Sequence, residues 1–384
     1  SFVNENFERQ KFDKASEELR EDFTAAERLM ALNSPFMNFT IYVLFVFILY
    51  FGSYLIVSSQ GTAFGVGQLS SLITYGFMML MALMMLSFVF AMIIIAEEGA
   101  RRICEVLLAT STINNPENPL TEVTDGSIDF ENVGFSYSGP EGREALSGVD
   151  LHINSGEVIG IIGGTGSAKS TLVQLIPRLY DVTAGSVSVG GHNVKDYDID
   201  TLRGAVAMVL QKNVLFSGTI KENLLWGNPD ATDEEILEAA RLAQADSFVQ
   251  TFPDKYETHI EQGGNNVSGG QKQRLCIARA LLRRPKVLIL DDSTSAVDTK
   301  TDSLIRSGLK DFLPDTTKII IAQRTSSIEE SDKIIVLDNG RVNAIGTHEE
   351  LLKDNPIYRE VYFSQNKQSV DENQSQEGEV TSHE

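Results

Sequence analysis

The stretch Glu157-Val158-Ile159-Gly160-Ile161-Ile162-Gly163-Gly164-Thr165-Gly166-Ser167-Ala168-Lys169-Ser170-Thr171 decides how this chain is read. Glu157 to Ile162 reads as a short apolar strand, and Thr171 to Leu179 as an apolar helix. Between them, Gly163 to Ser170 has the make-up of a loop whose backbone N–H groups wrap phosphates. Lys169 would reach the terminal phosphates and the Ser170 hydroxyl would ligate Mg2+. The following helix would turn its positive end toward the same charges. Ala168 stands where such a loop normally has glycine before the lysine. Glycine is needed there only if the backbone is closed to a Cβ or the approach is tight, and a methyl is the smallest intrusion. Nucleotide binding is therefore expected to survive.

Farther along, Val287-Leu288-Ile289-Leu290-Asp291 reads as a buried strand ending in an acid. An apolar strand that delivers a carboxylate beside a phosphate loop is a usual way to hold Mg2+ through water. Between the two elements lies Val267-Ser268-Gly269-Gly270-Gln271, followed by an apparent helix from Lys272 to Leu282. A serine and two glycines at a helix start make a second anion-binding surface. Ser127 to Phe135 alternates in strand fashion, so the domain is expected to cover residues 125–362. A polar linker, 111–124, carries Pro116 and Pro119 ahead of it.

Upstream, the composition changes. From Leu29 to Ala96, 68 consecutive residues include no Asp, Glu, Lys or Arg, whereas charged residues fill roughly a quarter of positions in soluble domains. Phe36 to Ser58 is an apolar run of 23 residues, and a helix needs about 20 to cross the hydrocarbon core. Gly61, Gly65 and Gly67 loosen the chain, and a second apolar run extends from Leu69 to Ala96. A buried helical pair in a soluble protein is the competing reading, but two charge-free runs of this length rarely serve as a soluble core. Arg28 precedes the first span, Arg101 and Arg102 follow the second, and the connection has no basic residue. Both outer ends are thus expected in the cytoplasm, with the turn outside and the phosphate-binding domain cytoplasmic. Residues 1–32 space Phe2, Phe7, Phe12, Leu19, Phe23 and Leu29 in helical fashion, as a cytoplasmic helix bent or interrupted early; a solvated surface helix gives the same pattern. Met78, Met79, Met81, Met84, Met85 and Met92 crowd the second span, to line a permissive path or to meet lipid and neighbouring helices.

The chain carries 32 basic against 53 acidic residues, a net charge of -21. Such a field repels phosphate backbones, so no nucleic-acid partner is expected. A local phosphate site needs no basic domain. Cys104 and Cys276 lack metal-ligand spacing and fit structural roles in a reducing compartment. Ser1 opens the chain without a methionine, as in the covered part of a longer one. Asn366 to Glu384 (the greater part of a 363–384 tail) is polar, acidic and expected to be disordered.

These motifs in this order, behind two membrane spans, resemble the ABC exporters over almost the whole chain. The resemblance implies a multi-domain protein: an all-α transmembrane domain, partial here as residues 1–110, fused to an α/β P-loop ABC-type ATPase domain with a helical subdomain. Asn4 to Phe12 resembles the second coupling helix, and the spans resemble transmembrane helices five and six. Tyr137 resembles the aromatic that stacks on adenine. Gln211 resembles the glutamine near magnesium and the attacking water, Asp298 the aspartate of the loop communicating across the dimer, and Val267 to Gln271 the signature donated to the partner's ATP, with Val267 in place of leucine.

Besides Ala168 and Val267, three positions depart from the family pattern. Asp292 occupies the place of the glutamate general base, Gln323 that of the switch histidine, and Gln262 that of a glutamate before the signature. Asp is one methylene shorter than Glu, which displaces its carboxylate by about 1 Å, enough to lose roughly 100-fold in rate. Gln323 donates a hydrogen bond but lacks the charge available to histidine. The resemblance thus implies an asymmetric half of a heterodimeric bacterial multidrug exporter in the cell membrane, binding ATP and Mg2+ and exporting amphipathic compounds. A non-identical subunit would supply the efficient glutamate and histidine. A lipid or peptide exporter, a regulatory subunit that only binds ATP, and a soluble ABC ATPase are the rival readings; the charge-free spans argue against the last.

Overall fold

In a computed structural model the chain is described over residues 5–60, 62, 64–292 and 297–365. It divides into two units, Ser1–Thr110 and Ser111–Glu384. The tail expected to be disordered, Asn366 to Glu384, lies outside the described residues, as do Asn4, Ser295 and Ala296.

The first unit is a helical hairpin of α1 (Glu5–Ser58) and α2 (Val66–Leu107). Among the described residues α1 shows no early interruption before the first span, and residues 5–34 contain neither glycine nor proline to cause one. Pro35 lies inside α1, and the helix continues through it. Pro35–Ser58 and Val66–Leu107 are each long and apolar enough to cross a membrane. A helix of 42 residues is about 63 Å long, twice the hydrocarbon thickness. Its charged end therefore projects past the apolar run, where Glu98 pairs with Arg101 at 2.7 Å and Arg102 at 3.3 Å. The two helices meet at small residues. A Cβ on Gly52 would stand 2.4 Å from Leu69 Cδ1, and one on Gly76 would stand 3.6 Å from the Phe45 ring. This is how helices approach in lipid, where close packing replaces the hydrophobic drive. The named methionines are exposed on the hairpin.

Among the described residues, the second unit has twelve strands. They are β1 (Ile128–Phe135), β2 (Leu146–Ile153), β3 (Val158–Gly163), β4 (Ala184–Val189), β5 (His192–Asn193) and β6 (Val206–Val209). Then come β7 (Gly218–Thr219), β8 (His259–Ile260), β9 (Val287–Asp291), β10 (Thr317–Ile321), β11 (Lys333–Asp338) and β12 (Arg341–Gly346). One antiparallel sheet runs β2-β1-β4-β5; the other runs β12-β11-β3-β10-β9-β6, parallel except for β12. Residues alternate across the large sheet. Ile159, Ile161, Ile289 and Ile319 face a core shared with Phe130, Val149 and Val187 of the small sheet. Ile162, Leu288, Leu290 and Ile320 face the helices instead. Burial on both faces explains why β3, β9 and β10 read as unbroken apolar runs rather than alternating ones.

Among the described residues, the helices of this unit are α3 (Lys169–Gln174), α4 (Ile199–Ala205), α5 (Ile220–Leu225), α6 (Asp233–Leu242), α7 (Asp246–Val249), α8 (Gly269–Leu281), α9 (Thr299–Phe312) and α10 (His348–Asp354), with a further helix over residues 356–365. α3 is shorter than the expected helix to Leu179. Pro177 has no N–H to give and disfavours the helical conformation at Ile176, and Arg178 then turns to φ 51°.

Candidate nucleotide site

Four neighbouring parallel strands deliver the candidate residues to one edge of the large sheet. β3 runs into Gly163–Ser170, β10 leads to Gln323, β9 ends at Asp291 and leads to Asp292, and β6 leads to Gln211. Carboxyl ends of parallel strands are where such sheets hold ligands. The juxtaposition is set by strand order, which the linear sequence does not display.

In the loop, Gly164, Thr165 and Gly166 are exposed, while Ser167 is buried. Gly163 has no room for a side chain, since a Cβ would lie 2.2 Å from the Leu337 carbonyl oxygen. Lys169 Nζ donates to the carbonyls of Gly163 at 2.8 Å and Gly164 at 3.0 Å, with Ser167 Oγ at 3.5 Å. Burial lowers the Lys169 pKa, opposed by the charges of Asp291 and Asp292. Burial pushes the Asp291 carboxyl up, opposed by the neighbouring Ser170 hydroxyl and the Lys169 charge. A hydroxyl and a carboxylate side by side are the hard oxygen donors that Mg2+ takes. The residues present therefore fit the ion: Ser170 and Asp291 would hold it, and it would neutralise charge on the phosphates of ATP.

Ala168 settles the question left open by the sequence. It caps α3 at φ 71° and ψ 25°, in the left-handed region. The backbone conformation is thus one that glycine adopts freely, and a Cβ there costs about 1–2 kcal/mol. The methyl packs against the core between the sheets. Ala168→Gly is expected to relieve the strain, less about 0.4–1 kcal/mol of added unfolded-state entropy. The net gain is on the order of 0.5–1 kcal/mol, read as a rise of about 1–4 °C in the thermal midpoint. A lower midpoint would show that the methyl contact outweighs the backbone strain.

Asp292 is the centre of a second cluster. Its Oδ2 accepts from Gln211 Nε2 at 3.0 Å and from Gln323 Nε2 at 2.7 Å. Its backbone takes φ 48°, a conformation that Asp and Asn tolerate better than other residues with a side chain. Its N–H donates to the Ile321 carbonyl at 2.9 Å. Burial raises its pKa; the Gln211 bond lowers it, the neighbouring Asp291 charge raises it, and Gln323 and Lys169 lower it. The three residues that diverge from, or serve, the expected hydrolytic constellation are therefore tied to one another. The two amides on Oδ2 fix the orientation of the carboxylate.

Tyr137 stands beside the loop. Its hydroxyl lies 3.0 Å from Thr171 Oγ1, and its ring packs edge-on against Phe135 and Tyr180 at 4.8 and 5.2 Å. At 56% exposure, the ring keeps most of its surface available. The signature belongs elsewhere, to the N-terminus of α8. Ser268 Oγ accepts from Gln271 N at 3.3 Å, and Gln271 Oε1 accepts from Ser268 N at 2.9 Å, a reciprocal cap. Ser268 and Gly269 are exposed, Gly270 less so. Asp298 caps α9 by accepting from Thr301 N at 2.9 Å, and Gln262 is exposed in a turn. One participant carried no motif: Gln365, whose amide bonds the loop at Gln323 and Thr325. No local pattern in the sequence marks a contact spanning forty residues.

The family described as ABC transporter matches residues 146–295, and that described as ABC transporter transmembrane region matches residues 1–84. An uncharacterized ABC transporter ATP-binding protein of Mycobacterium tuberculosis is 41% identical over 370 residues, which cover 95% of this chain and 62% of the relative. The ABC transporter ATP-binding protein YknU of Bacillus subtilis is 37% identical over 363 residues, 94% of this chain and 61% of the relative. A Staphylococcus aureus protein named for multidrug export is 44% identical over 245 residues, 64% of this chain and 42% of the relative. Among solved structures, a bacterial Atm1-family ABC exporter with ATP bound aligns with a TM-score of 0.84 at 30% identity, over 95% of this chain and 64% of that one. The chain thus spans less than two thirds of the length of these relatives. It is a homologue of the ABC exporters, in which part of a transmembrane region is fused to an α/β P-loop ATPase domain with a site for ATP and Mg2+.

Proposed function

We propose that this chain is one half of a heterodimeric ATP-driven exporter in a bacterial cell membrane, and that its own site binds ATP but turns it over slowly. The observation that carries the reading is the Gln211–Asp292–Gln323 cluster: a shortened carboxylate whose Oδ2 already accepts two amide bonds. The signature on α8 retains its serine, both glycines and glutamine, so it would serve a partner's ATP, where a glutamate and a histidine support hydrolysis. Amphipathic small molecules are the proposed cargo, in keeping with the relative named for multidrug export.

Membrane extraction of the full-length protein is expected to recover it with a non-identical ABC subunit. After incubation with labelled ATP, one nucleotide per pair should persist unhydrolysed on this chain. Recovery as a homodimer with rapid turnover at both sites would overturn the proposal. The orientation can be checked separately. Thr62→Cys, in the exposed connection between α1 and α2, is expected to react with an impermeant thiol reagent outside intact cells, because the basic flanks lie at the hairpin's outer ends. Labelling only after lysis would reverse the orientation.

A further inference from the structure

We propose that Gln365 is a positioning residue for the switch loop, holding Gln323 against Asp292 from the C-terminal helix. That helix covers residues 356–365. It is seated firmly: Tyr358 is fully buried, its hydroxyl lies 2.7 Å from His348 Nδ1, and its N–H donates to Asn355 Oδ1 at 2.8 Å. Asn355 Nδ2 in turn donates to Asn343 Oδ1 of β12 at 2.7 Å. The helix therefore presents Gln365 from a fixed base.

Both ends of the Gln365 amide face the switch loop. Nε2 donates to the Gln323 carbonyl at 2.7 Å, while Oε1 accepts from Thr325 N at 2.9 Å and from Thr325 Oγ1 at 3.1 Å. On its far side the loop is held by α9. Arg306 Nη1 donates to the Ser327 carbonyl at 3.1 Å, and Ser327 Oγ donates to Asp302 Oδ2 at 3.1 Å. Ser327 thus has support from α9, but the backbone of Gln323 gets its side-chain bond from Gln365. The Gln323 side chain then reaches Asp292 at 2.7 Å. Removing Gln365 releases the backbone from which Gln323 is aimed. Glutamate at this position keeps the acceptor for Thr325 and loses the donor to Gln323, so it separates the two halves of the contact.

The inference rests on the reading that this chain's site retains ATP, and two readouts keep the two apart. In the full assembled protein, the residence time of labelled ATP on this chain would be compared for Gln365→Ala, Gln365→Glu, Gln323→Ala and the Gln323→Ala/Gln365→Ala double variant. Gln365→Ala is expected to shorten residence about 3- to 10-fold, the range one hydrogen bond supports. Gln365→Glu should fall between it and the wild type, and the double variant should match Gln323→Ala alone. Wild-type residence in Gln365→Ala, or losses that multiply in the double variant, would overturn the proposal. If the wild type retains no ATP that Lys169→Ala removes, the functional reading fails instead. Hydrogen exchange over residues 323–325 then decides the positioning question without nucleotide: faster exchange in Gln365→Ala and a smaller change in Gln365→Glu support it, and unchanged exchange in both refutes it.

Discussion

Ser268→Glu is expected to reduce the steady-state ATPase of the assembled pair by about 10-fold or more, whereas Asp292→Asn should reduce it only a few-fold. Ser268 is exposed at the N-terminus of α8, with Gly269 and Gly270 beside it. In the proposed pairing this surface meets the γ-phosphate of the partner's ATP, so a carboxylate there adds bulk and like charge where negative charge must be stabilised. The substitution also replaces a good helix cap, a loss of about 1 kcal/mol. Rates must therefore be normalised to assembled pair, with thermal midpoints measured alongside. Asp292 contributes differently. Its carboxylate is one methylene short of the expected glutamate and is held by the Gln211 and Gln323 amides, so on the proposed reading removing its charge takes away little turnover. Near-complete loss in Asp292→Asn with most activity kept in Ser268→Glu would place the working site on this chain.

Lys169→Ala is expected to lower ATP occupancy at this chain's own site by about 10- to 100-fold, as the loss of a charged hydrogen-bond donor implies. Lys169 also bridges the carbonyls of Gly163 and Gly164, so alanine removes both a partner for the phosphates and a tie within the loop. Ala168, one residue earlier, already holds a strained conformation, which leaves the loop less stability to lose. Equilibrium binding resolved for the two sites is the measurement. Unchanged occupancy here would mean that the backbone N–H groups alone hold the nucleotide.

The phosphate loop, the acid-terminated strand and the two spans were legible because each is local: a glycine pattern, an apolar run, a charge-free stretch. Their company in space was not. Gln211, Gln323 and Asp292 converge because β6, β9 and β10 are neighbours, a fact of topology and not of spacing. The left-handed turn at Ala168 was undetermined for a related reason, since a motif records residue types and leaves φ to the fold. The helix after the loop was overextended because the apolar pattern through Leu179 outweighed Pro177. Gln365 was invisible for want of any pattern at all.

The placement of the unusual residues also bears on how such a chain can arise. Gln211 and Gln323 are exposed just beyond strand ends, and Asp292, one residue past β9, is buried among polar partners and not among the apolar side chains of the cores. Exchanging a glutamate or a histidine at these positions alters chemistry while the packed interior that carries folding stability stays as it was. A gene copy could therefore drift at one site without producing a misfolded protein for proteases to clear. In the proposed pairing, two subunits would then diverge into one that hydrolyses nucleotide and one that mainly holds it, through substitutions confined to a single rim of the sheet.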